Sequence, residues 1–390
     1  MVAPLTTFIF KIASRCNLDC DYCYVYHHVD QSWRTRPRFM SFPVVRAAAA
    51  RVAEHAVRHH LTRVLVVLHG GEPTLAGPDW VDTFCRLVRG TVPAEIGVDF
   101  AMQSNGTLLD GTWLPVLAAH GIRVGISLDG PPSVNDAHRR DVAGRSSYSA
   151  ASRGIHLLRR AAPELFGGIL AVVDLAADPV AVYQHLASFD PPMIDFNLPD
   201  ANWDNPPPGR SDDTAPYGTW LATVFDTWAA GTRYTHSIRF FEDIIGLSIG
   251  ADRSVESLGL APVTLAVIES DGSVEAVDTL KTAYPGAPEL GLDVVHDPLD
   301  AALAAPLMAS RQQGADALSR TCRECPLAAV CGGGYLPHRY AAGNAFDNPS
   351  VYCPDLTFLI RHIQRRCGLE TDARVGRSSG PVQGALPDER

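Results

Sequence analysis

The sequence has no uninterrupted apolar run of about 18 residues, which a membrane-spanning helix requires. It also lacks an excess of positive charge, since the 390 residues carry a formal net charge of −10, and this disfavours a nucleic-acid partner. Residues 1–10 show no basic segment ahead of an apolar core, so we expect no secretion signal. These absences together predict a cytoplasmic protein with no membrane and no nucleic acid among its partners.

Cysteine is missing from the whole middle of the chain, between Cys85 and Cys322. The nine cysteines gather towards the two ends, a distribution that favours metal binding over a disulfide framework. Seven of them fall into one set of three and one set of four. Cys85 lies in a helical pattern and is interpreted as a core residue, whereas Cys367 has no assigned partner.

The first set stands in residues 8–24, which read FIFKIASRCNLDCDYCY. An apolar segment typical of a strand leads into a loop that carries Cys16, Cys20 and Cys23. Three thiolates can hold three irons of a cubane cluster and leave the fourth iron open to a small molecule. The alternative is a zinc site, which would need a fourth protein ligand such as His27 or His28.

Apolar runs alternate with helical patterns over the first half of the chain. The predicted strands cover residues 8–13, 64–68, 98–102, 123–127, 168–173 and 193–197. Six such strands predict an α/β fold with a parallel sheet built of right-handed β-α-β units. Further on, residues 263–268 and 273–277 predict a β-hairpin.

The C-x3-C-x2-C loop after a first strand resembles the loop of the radical S-adenosylmethionine (SAM) superfamily. The resemblance implies a partial (β/α)6 barrel and a [4Fe–4S] cluster whose open iron binds SAM. It also implies an enzyme in which SAM cleavage yields a 5′-deoxyadenosyl radical that abstracts hydrogen from a substrate. An electron donor such as flavodoxin or ferredoxin would then be a partner.

Polar motifs follow three successive predicted strands, at the edge where parallel barrels carry their chemistry. The motifs GGEP, QSNG and SLDGP resemble the SAM-pocket motifs of the superfamily, although each alone is also an ordinary turn. The resemblance implies that the GGEP backbone and carboxylate meet the SAM ammonium. The implied cofactor-binding residues are Gly70, Gly71, Glu72, Pro73, Gln103, Ser104, Asn105, Ser127 and Asp129.

The second set is Cys322, Cys325, Cys331 and Cys353. Four thiolates at this spacing bind either zinc or a [4Fe–4S] cluster, and spacing alone does not choose between them. The set resembles part of the SPASM domain, a C-terminal extension of peptide-modifying radical SAM enzymes that holds two auxiliary clusters. Val277 and Tyr335 stand where that pattern has cysteines for the first of them. The resemblance therefore implies one auxiliary cluster here and two [4Fe–4S] clusters in all.

Asp278 directly follows Val277. SPASM relatives often carry at this position an aspartate that accepts a proton, so the resemblance implies Asp278 as the catalytic base. A solvated carboxylate at a hairpin end is the alternative. The predicted units are a barrel over residues 1–235, a bridging helical region over 236–260, a SPASM-like auxiliary cluster domain over 261–369 and a disordered tail over 370–390.

Residues 26–40, the SLDGP region and the reduced cysteine set together resemble the cyclophane-forming radical SAM/SPASM maturases of actinobacteria. That resemblance implies a ribosomally made precursor peptide as substrate. Hydrogen is removed from a Cβ atom, which is then joined to an aromatic ring carbon. One alternative is maturation of anaerobic sulfatases, in which Cys or Ser is oxidised to formylglycine. A zinc-binding module without catalysis is the second alternative.

Overall fold

The computed structural model describes residues 2–231, 236–253 and 256–369, so the tail predicted over residues 370–390 lies outside the described residues. Ten strands form one sheet in the order β10-β9-β8-β1-β2-β3-β4-β5-β6-β7. The strands are β1 (Thr7–Ala13), β2 (Arg63–Gly70), β3 (Gly97–Ser104), β4 (Arg123–Ser127), β5 (Phe166–Val172), β6 (Met193–Asn197), β7 (Ser237–Ile238), β8 (Leu265–Ile268), β9 (Ser273–Glu275) and β10 (Glu289–Asp293).

Helices cover the sheet and build most of the C-terminal third. In the described residues they are α1 (Phe42–Arg58), α2 (Pro78–Thr91), α3 (Leu114–His120), α4 (Pro132–His138), α5 (Tyr148–Ala161), α6 (Pro179–Ala187), α7 (Pro216–Ala229), α8 (Arg239–Ser248), α9 (Asp300–Ala304), α10 (Pro306–Ser310), α11 (Arg320–Arg323), α12 (Ala328–Cys331) and α13 (Cys353–Arg366). In this part of the chain, no helix has the length and apolar character needed to cross a membrane.

The six predicted strands are confirmed as β1 to β6, each parallel to its neighbour. Their carboxyl ends therefore meet at one edge of the sheet, which brings the polar motifs that follow β2, β3 and β4 together. Helix α3 begins at Leu114, directly after a turn at residues 111–113. A two-residue strand, β7, extends the sheet beside β6. It is too short for a period-2 pattern to indicate it.

The predicted hairpin forms as β8 and β9, and its position ties the two halves of the chain together. Strand β8 lies parallel to β1, with Thr7 opposite Leu265 and Phe10 opposite Ile268. The sheet is therefore continuous from the barrel into the C-terminal third. The domain boundaries at residues 235 and 260 stay a prediction.

A buried network of charges fixes residues 26–40 against this hairpin. The Lys281 ammonium lies 2.8 Å from Glu269 and 2.6 Å from Glu275. The Arg36 guanidinium donates to Glu275 at 2.7 Å and to Asp271 at 2.9 Å. Because buried charges are tolerated only when they are paired, this network determines how the segment after the first cysteine loop packs.

Candidate active site

The first three cysteines lie in the loop that follows β1. The Cys16 sulfur accepts the Leu18 backbone N–H at 3.3 Å and the Asn105 side-chain amide at 3.7 Å. Burial and the nearby Glu72 carboxylate raise the pKa of Cys16 to about 12, and burial raises that of Cys20 to about 11. The three thiol groups also interact electrostatically with one another. The structure therefore brings the three predicted ligands to one place.

The separation of the sulfur atoms bears on the zinc alternative. Four thiolates around one zinc ion lie about 3.8 Å apart, because each Zn–S bond is about 2.3 Å long. Among the described residues, the one set of three ligand atoms that lie within 4.8 Å of one another is His55, His59 and Asp300, without any cysteine. His27 instead contacts Asp19 at 2.8 Å. The cysteines therefore do not form the compact set of ligands that a single zinc ion requires.

Glu72 joins the loops that follow β2 and β3. One carboxylate oxygen accepts the Thr74 N–H, the Thr74 hydroxyl at 2.6 Å and the Ser104 hydroxyl at 2.8 Å, while the other accepts the Asn105 N–H at 2.7 Å. Glu72 is almost fully buried. Its carboxylate thus fixes the geometry of two predicted motifs, and the oxygen that faces Asn105 retains a free lone pair for a cationic ligand.

The two glycines of the GGEP motif allow a close approach to the cysteine loop. A Cβ atom on Gly70 would overlap the Ala13 carbonyl, and one on Gly71 would overlap the Tyr26 hydroxyl and the Arg15 carbonyl. Pro73 is buried and opens a short turn. The GGEP motif therefore packs directly against the backbone next to Cys16.

The remaining polar residues of the motifs also meet around the loop. The Asn105 side chain donates to Asn17 at 2.9 Å, beside Cys16. The Gln103 side chain donates to the Ser127 hydroxyl at 2.9 Å, which links the ends of β3 and β4. All nine predicted cofactor-binding residues lie in the loops next to the first cysteine set or at the strand ends behind them.

Asp129 stabilises the first cysteine loop through Tyr22. It accepts the Tyr22 hydroxyl at 2.6 Å and the Val172 N–H at 3.1 Å. Arg139 donates to the same hydroxyl at 2.8 Å and interacts electrostatically with Cys20. Burial raises the pKa of Asp129 even though Arg139 is close. With both oxygens bonded to protein, this carboxyl positions Tyr22 and the cysteine loop.

Asp278 lies beside the first cysteine loop, although it is distant in sequence. Its carboxylate pairs with the Lys11 ammonium and accepts the Tyr24 hydroxyl. Burial alone would raise the pKa of Asp278, but Lys11 outweighs it and holds the pKa well below its usual range. The His69 Nδ1 atom lies 3.3 Å from the Lys11 ammonium. Burial and the positive charge of Lys11 both lower the pKa of His69, to about 4.

The second cysteine set lies on short helices and turns. Cys322 and Cys331 belong to α11 and α12, and Cys353 begins α13. The Cys325 sulfur accepts the Leu327 N–H at 3.4 Å. Burial raises the pKa of Cys331 to about 12, and its thiol interacts electrostatically with the other three. The structure brings all four predicted ligands together.

Protein side chains occupy the positions where the SPASM pattern has further cysteines. Val277 is buried in the core. The Tyr335 hydroxyl lies 2.5 Å from the Thr279 hydroxyl. Gly332 has a left-handed φ of 61°, and a Cβ atom there would overlap the Gly259 carbonyl. The second set is thus enclosed by hydrogen-bonded and apolar groups rather than by a further group of thiols.

Sequence reasoning missed several residues of this region. Lys11 gives a detectable signal, because a lysine interrupts an otherwise apolar strand and is only 3% exposed. Tyr24 and His69 give no signal in the sequence, except that each lies next to a predicted motif.

Comparison with known proteins identifies the first half of the chain. Residues 10–174 match the family model of the radical SAM superfamily. Over these residues the chain is similar to the radical SAM family. The similarity indicates an enzyme, and the family implies a [4Fe–4S] cluster and SAM as cofactors.

Curated relatives extend the similarity beyond the barrel. The serine-type anaerobic sulfatase-maturating enzyme of Klebsiella aerogenes is 27% identical over 359 residues, which cover 87% of this chain and 82% of that relative. The cysteine-type enzyme of Clostridium perfringens is 29% identical over 287 residues, or 70% of this chain and 74% of that one.

Solved structures confirm the fold. A structure named native anSMEcpe with bound AdoMet has a TM-score of 0.78 at 23% identity and covers 93% of this chain and 98% of its own. Streptococcus suis SuiB bound to its precursor peptide SuiA has a TM-score of 0.58 at 14% identity and covers 90% of this chain and 76% of its own. At these identities the likeness concerns the radical SAM α/β fold alone.

The residues present suit the implied cofactors. The first set offers one buried and two half-buried cysteines, with amide donors to the Cys16 sulfur, next to a partly free carboxylate oxygen of Glu72. The second offers four thiols in mutual electrostatic contact, which is consistent with an auxiliary cluster. Cys85 is fully buried in α2 and Cys367 is exposed at the end of α13, so the structure brings neither into a set.

Proposed function

We propose that this enzyme matures a sulfatase-type peptide or protein by oxidising a Cys or Ser side chain at its Cβ atom, because its relatives are named as serine-type and cysteine-type sulfatase-maturating enzymes. The observation that carries this proposal is the reach of the similarity. It covers 87% of the chain, which extends well beyond the barrel and must include Asp278, Cys322, Cys325 and Cys331. This order reverses the one that the sequence motifs favoured, in which cyclophane formation came first.

When bound, SAM on a cluster held by Cys16, Cys20 and Cys23 would supply a radical able to remove one hydrogen atom. An auxiliary cluster held by the second cysteine set would supply a one-electron acceptor. The protein must position SAM and the peptide. The first loop, Glu72 and Asn105 position SAM. The peptide must then place its Cβ hydrogen near the carboxyl ends of the barrel strands, where these residues meet.

Asp278 is proposed to hold Lys11 and Tyr24 in place at the carboxyl ends of the barrel strands. Its contacts with Lys11 and Tyr24 join β1 and the cysteine loop to the segment that follows β9. Since the Lys11 ammonium favours the ionised carboxylate, Asp278 presents a fixed negative charge at neutral pH. The sequence assigned proton transfer to this residue, and that role stays a proposal.

A second candidate is the aromatic-to-Cβ crosslink. The specific observation in its favour is the reduced C-terminal cysteine set, since Val277 and Tyr335 replace two ligands of the SPASM pattern. The substrate would then be a ribosomally made precursor peptide that contains an aromatic residue. In either case an external reductant, such as flavodoxin or ferredoxin, is proposed to deliver the first electron.

The test uses anaerobically reconstituted protein with SAM, a chemical reductant and matched sulfatase peptides that carry Cys or Ser at the target position. We expect an aldehyde product that forms a hydrazone with a hydrazide reagent, detected by mass spectrometry. Serine oxidation and crosslinking both remove two hydrogens, so hydrazone formation separates them. A product that is lighter by two hydrogens, unreactive to hydrazide and dependent on an aromatic residue would favour the crosslink instead.

Metal analysis addresses the non-catalytic alternative. Two cubanes predict about eight irons and a similar amount of acid-labile sulfide per chain. Protein that contains zinc without sulfide after anaerobic purification would favour the zinc-binding module and contradict the proposed function.

A further inference from the structure

Buried positive charges in the described part of the chain have carboxylate partners, with two exceptions. The buried lysines and arginines are Lys11, Arg36, Arg139, Lys281, Arg311 and Arg339. Four of them form ion pairs with carboxylates. Arg139 and Arg339 form none with any described residue, and each lies next to one of the two cysteine sets. Because a buried charge is costly unless an opposite charge balances it, both arginines need a negative partner.

The Arg339 guanidinium lies close to the Cys322 sulfur. Arg339 ends the short 3-10 turn Leu336–Arg339, which follows the three glycines after Cys331. A Cβ atom built on Gly333 would lie 3.7 Å from the Arg339 Nη1 atom and 3.7 Å from the Cys322 sulfur. The nitrogen and the sulfur are therefore separated by at most twice that distance, and Gly333 adds no side chain next to them.

Hydrogen bonds hold this guanidinium in place without neutralising it. The Nε atom donates to the Phe346 carbonyl at 3.1 Å and to the Asn348 carbonyl at 3.2 Å, and the Nη2 atom donates to the Ala317 carbonyl at 2.8 Å. None of these bonds uses Nη1, the atom next to the cysteine set. The carboxylate of the exposed Asp347 interacts with Arg339 only from beyond ion-pair distance. Arg339 is thus a fixed positive charge with neutral partners.

The second cysteine set supplies the missing negative charge when it holds a metal cluster. Thiols that bind metal are deprotonated, and four thiolates give a [4Fe–4S] cluster a net negative charge that increases on reduction. A charge within a Debye length, about 8 Å at physiological salt, is little screened when it is buried. A cation at this position therefore stabilises the reduced cluster more than the oxidised one.

We propose that Arg339 is the counter-charge of the second cluster and raises its reduction potential, which makes this site a better electron acceptor. The inference rests on the proposed function in one respect, because that function gives the second set the role of one-electron acceptor. Arg339 acts through the cluster and takes no part in hydrogen abstraction. Net charge near the cluster is one of the factors by which proteins set the potential of an iron–sulfur site.

The test is a redox titration of the holoenzyme, followed by electron paramagnetic resonance with and without SAM and without peptide. The signal that SAM changes belongs to the first cluster, and the signal that SAM leaves unchanged belongs to the second. We expect Arg339→Gln to make reduction of the second cluster about tenfold less favourable, a fall of about 59 mV in its one-electron midpoint potential. The potential of the first cluster should stay at the wild-type value.

Two further variants separate charge from structure. Arg63→Gln removes the same charge from an exposed ion pair at the start of β2, so both potentials should stay at the wild-type values. Arg339→Lys keeps the charge but loses the fork that binds three carbonyls, so the second potential should stay close to that of the wild type. An unchanged potential in Arg339→Gln, or an equal fall in Arg339→Lys, would overturn the proposal.

Iron content covers the case in which a variant fails to hold the second cluster. Loss of about four irons in Arg339→Gln but not in Arg339→Lys would support the proposal, because the two variants differ in charge. The same loss in both would overturn it, since the carbonyl contacts would then be what matters. The titration needs no peptide, so a wild type that leaves sulfatase peptides unchanged contradicts the proposed function without deciding the role of Arg339.

Discussion

The two cysteine sets are built in different ways. The first is held by long-range contacts: Asn105 and Glu72 come from other strand ends, and Asp129 and Arg139 support it from behind. The second is shaped mostly by local turns within residues 319–334, to which Cys353 is added. The first site has only three thiols and depends on the barrel, whereas the second supplies four thiols of its own. The difference suits a site that must admit a ligand and a site that only holds a cluster.

Removal of a ligand from the first set should have the largest effect. We expect Cys16→Ala to abolish SAM cleavage, because the cluster would lose one of its three protein ligands. The measurement is 5′-deoxyadenosine formed under reducing conditions. Cys367→Ser is the matched control and should match the wild type, since Cys367 is exposed and belongs to neither set. Wild-type cleavage in Cys16→Ala would contradict the assignment of this loop.

Removal of a ligand from the second set should separate the two sites. Cys331→Ala should lower iron by about four atoms per chain and leave SAM cleavage largely intact, while peptide oxidation falls sharply. Iron analysis and product assays on one preparation test this. If SAM cleavage disappeared as completely as in Cys16→Ala, the two sites would not be independent.

The carboxylate that joins the motif loops should matter for stability. Glu72→Gln places an amide group against the donors of Thr74, Ser104 and Asn105, so we expect the free energy of unfolding to fall by roughly 2–4 kcal/mol. Denaturant unfolding of metal-free protein measures the change. Glu54→Gln is the control, because the half-exposed Glu54 makes only surface ion pairs, with Arg51 and Arg58. Equal midpoints for the two variants would argue against the role of Glu72.

The smallest effect is expected where a side chain replaces a cysteine. Tyr335→Phe removes the hydrogen bond to Thr279 and should lower the free energy of unfolding by about 1 kcal/mol. Iron content should stay at the wild-type value, because Tyr335 ligates neither cluster in our assignment. A loss of iron in Tyr335→Phe would show that the hydroxyl supports the second set more directly.

The sequence predicted the parts of this molecule that depend on local pattern. The apolar runs located β1 to β6, and the spacing of the cysteines located both sets. It failed where function depends on distant contacts. Neither the pairing of β8 with β1 nor the meeting of Lys11 with Asp278 leaves a local signal, since the partners lie more than 250 residues apart.

The pairing of β1 with β8 also affects how the chain reaches its native state. One edge of β1 stays open until residues 265–268 have left the ribosome. An exposed strand edge invites pairing with other chains, so the nascent barrel is vulnerable to aggregation during that interval. A truncated protein that ends before β8 would keep that defect permanently. Expression of the barrel alone should therefore give insoluble material, and heterologous production should favour slow synthesis of the full-length chain.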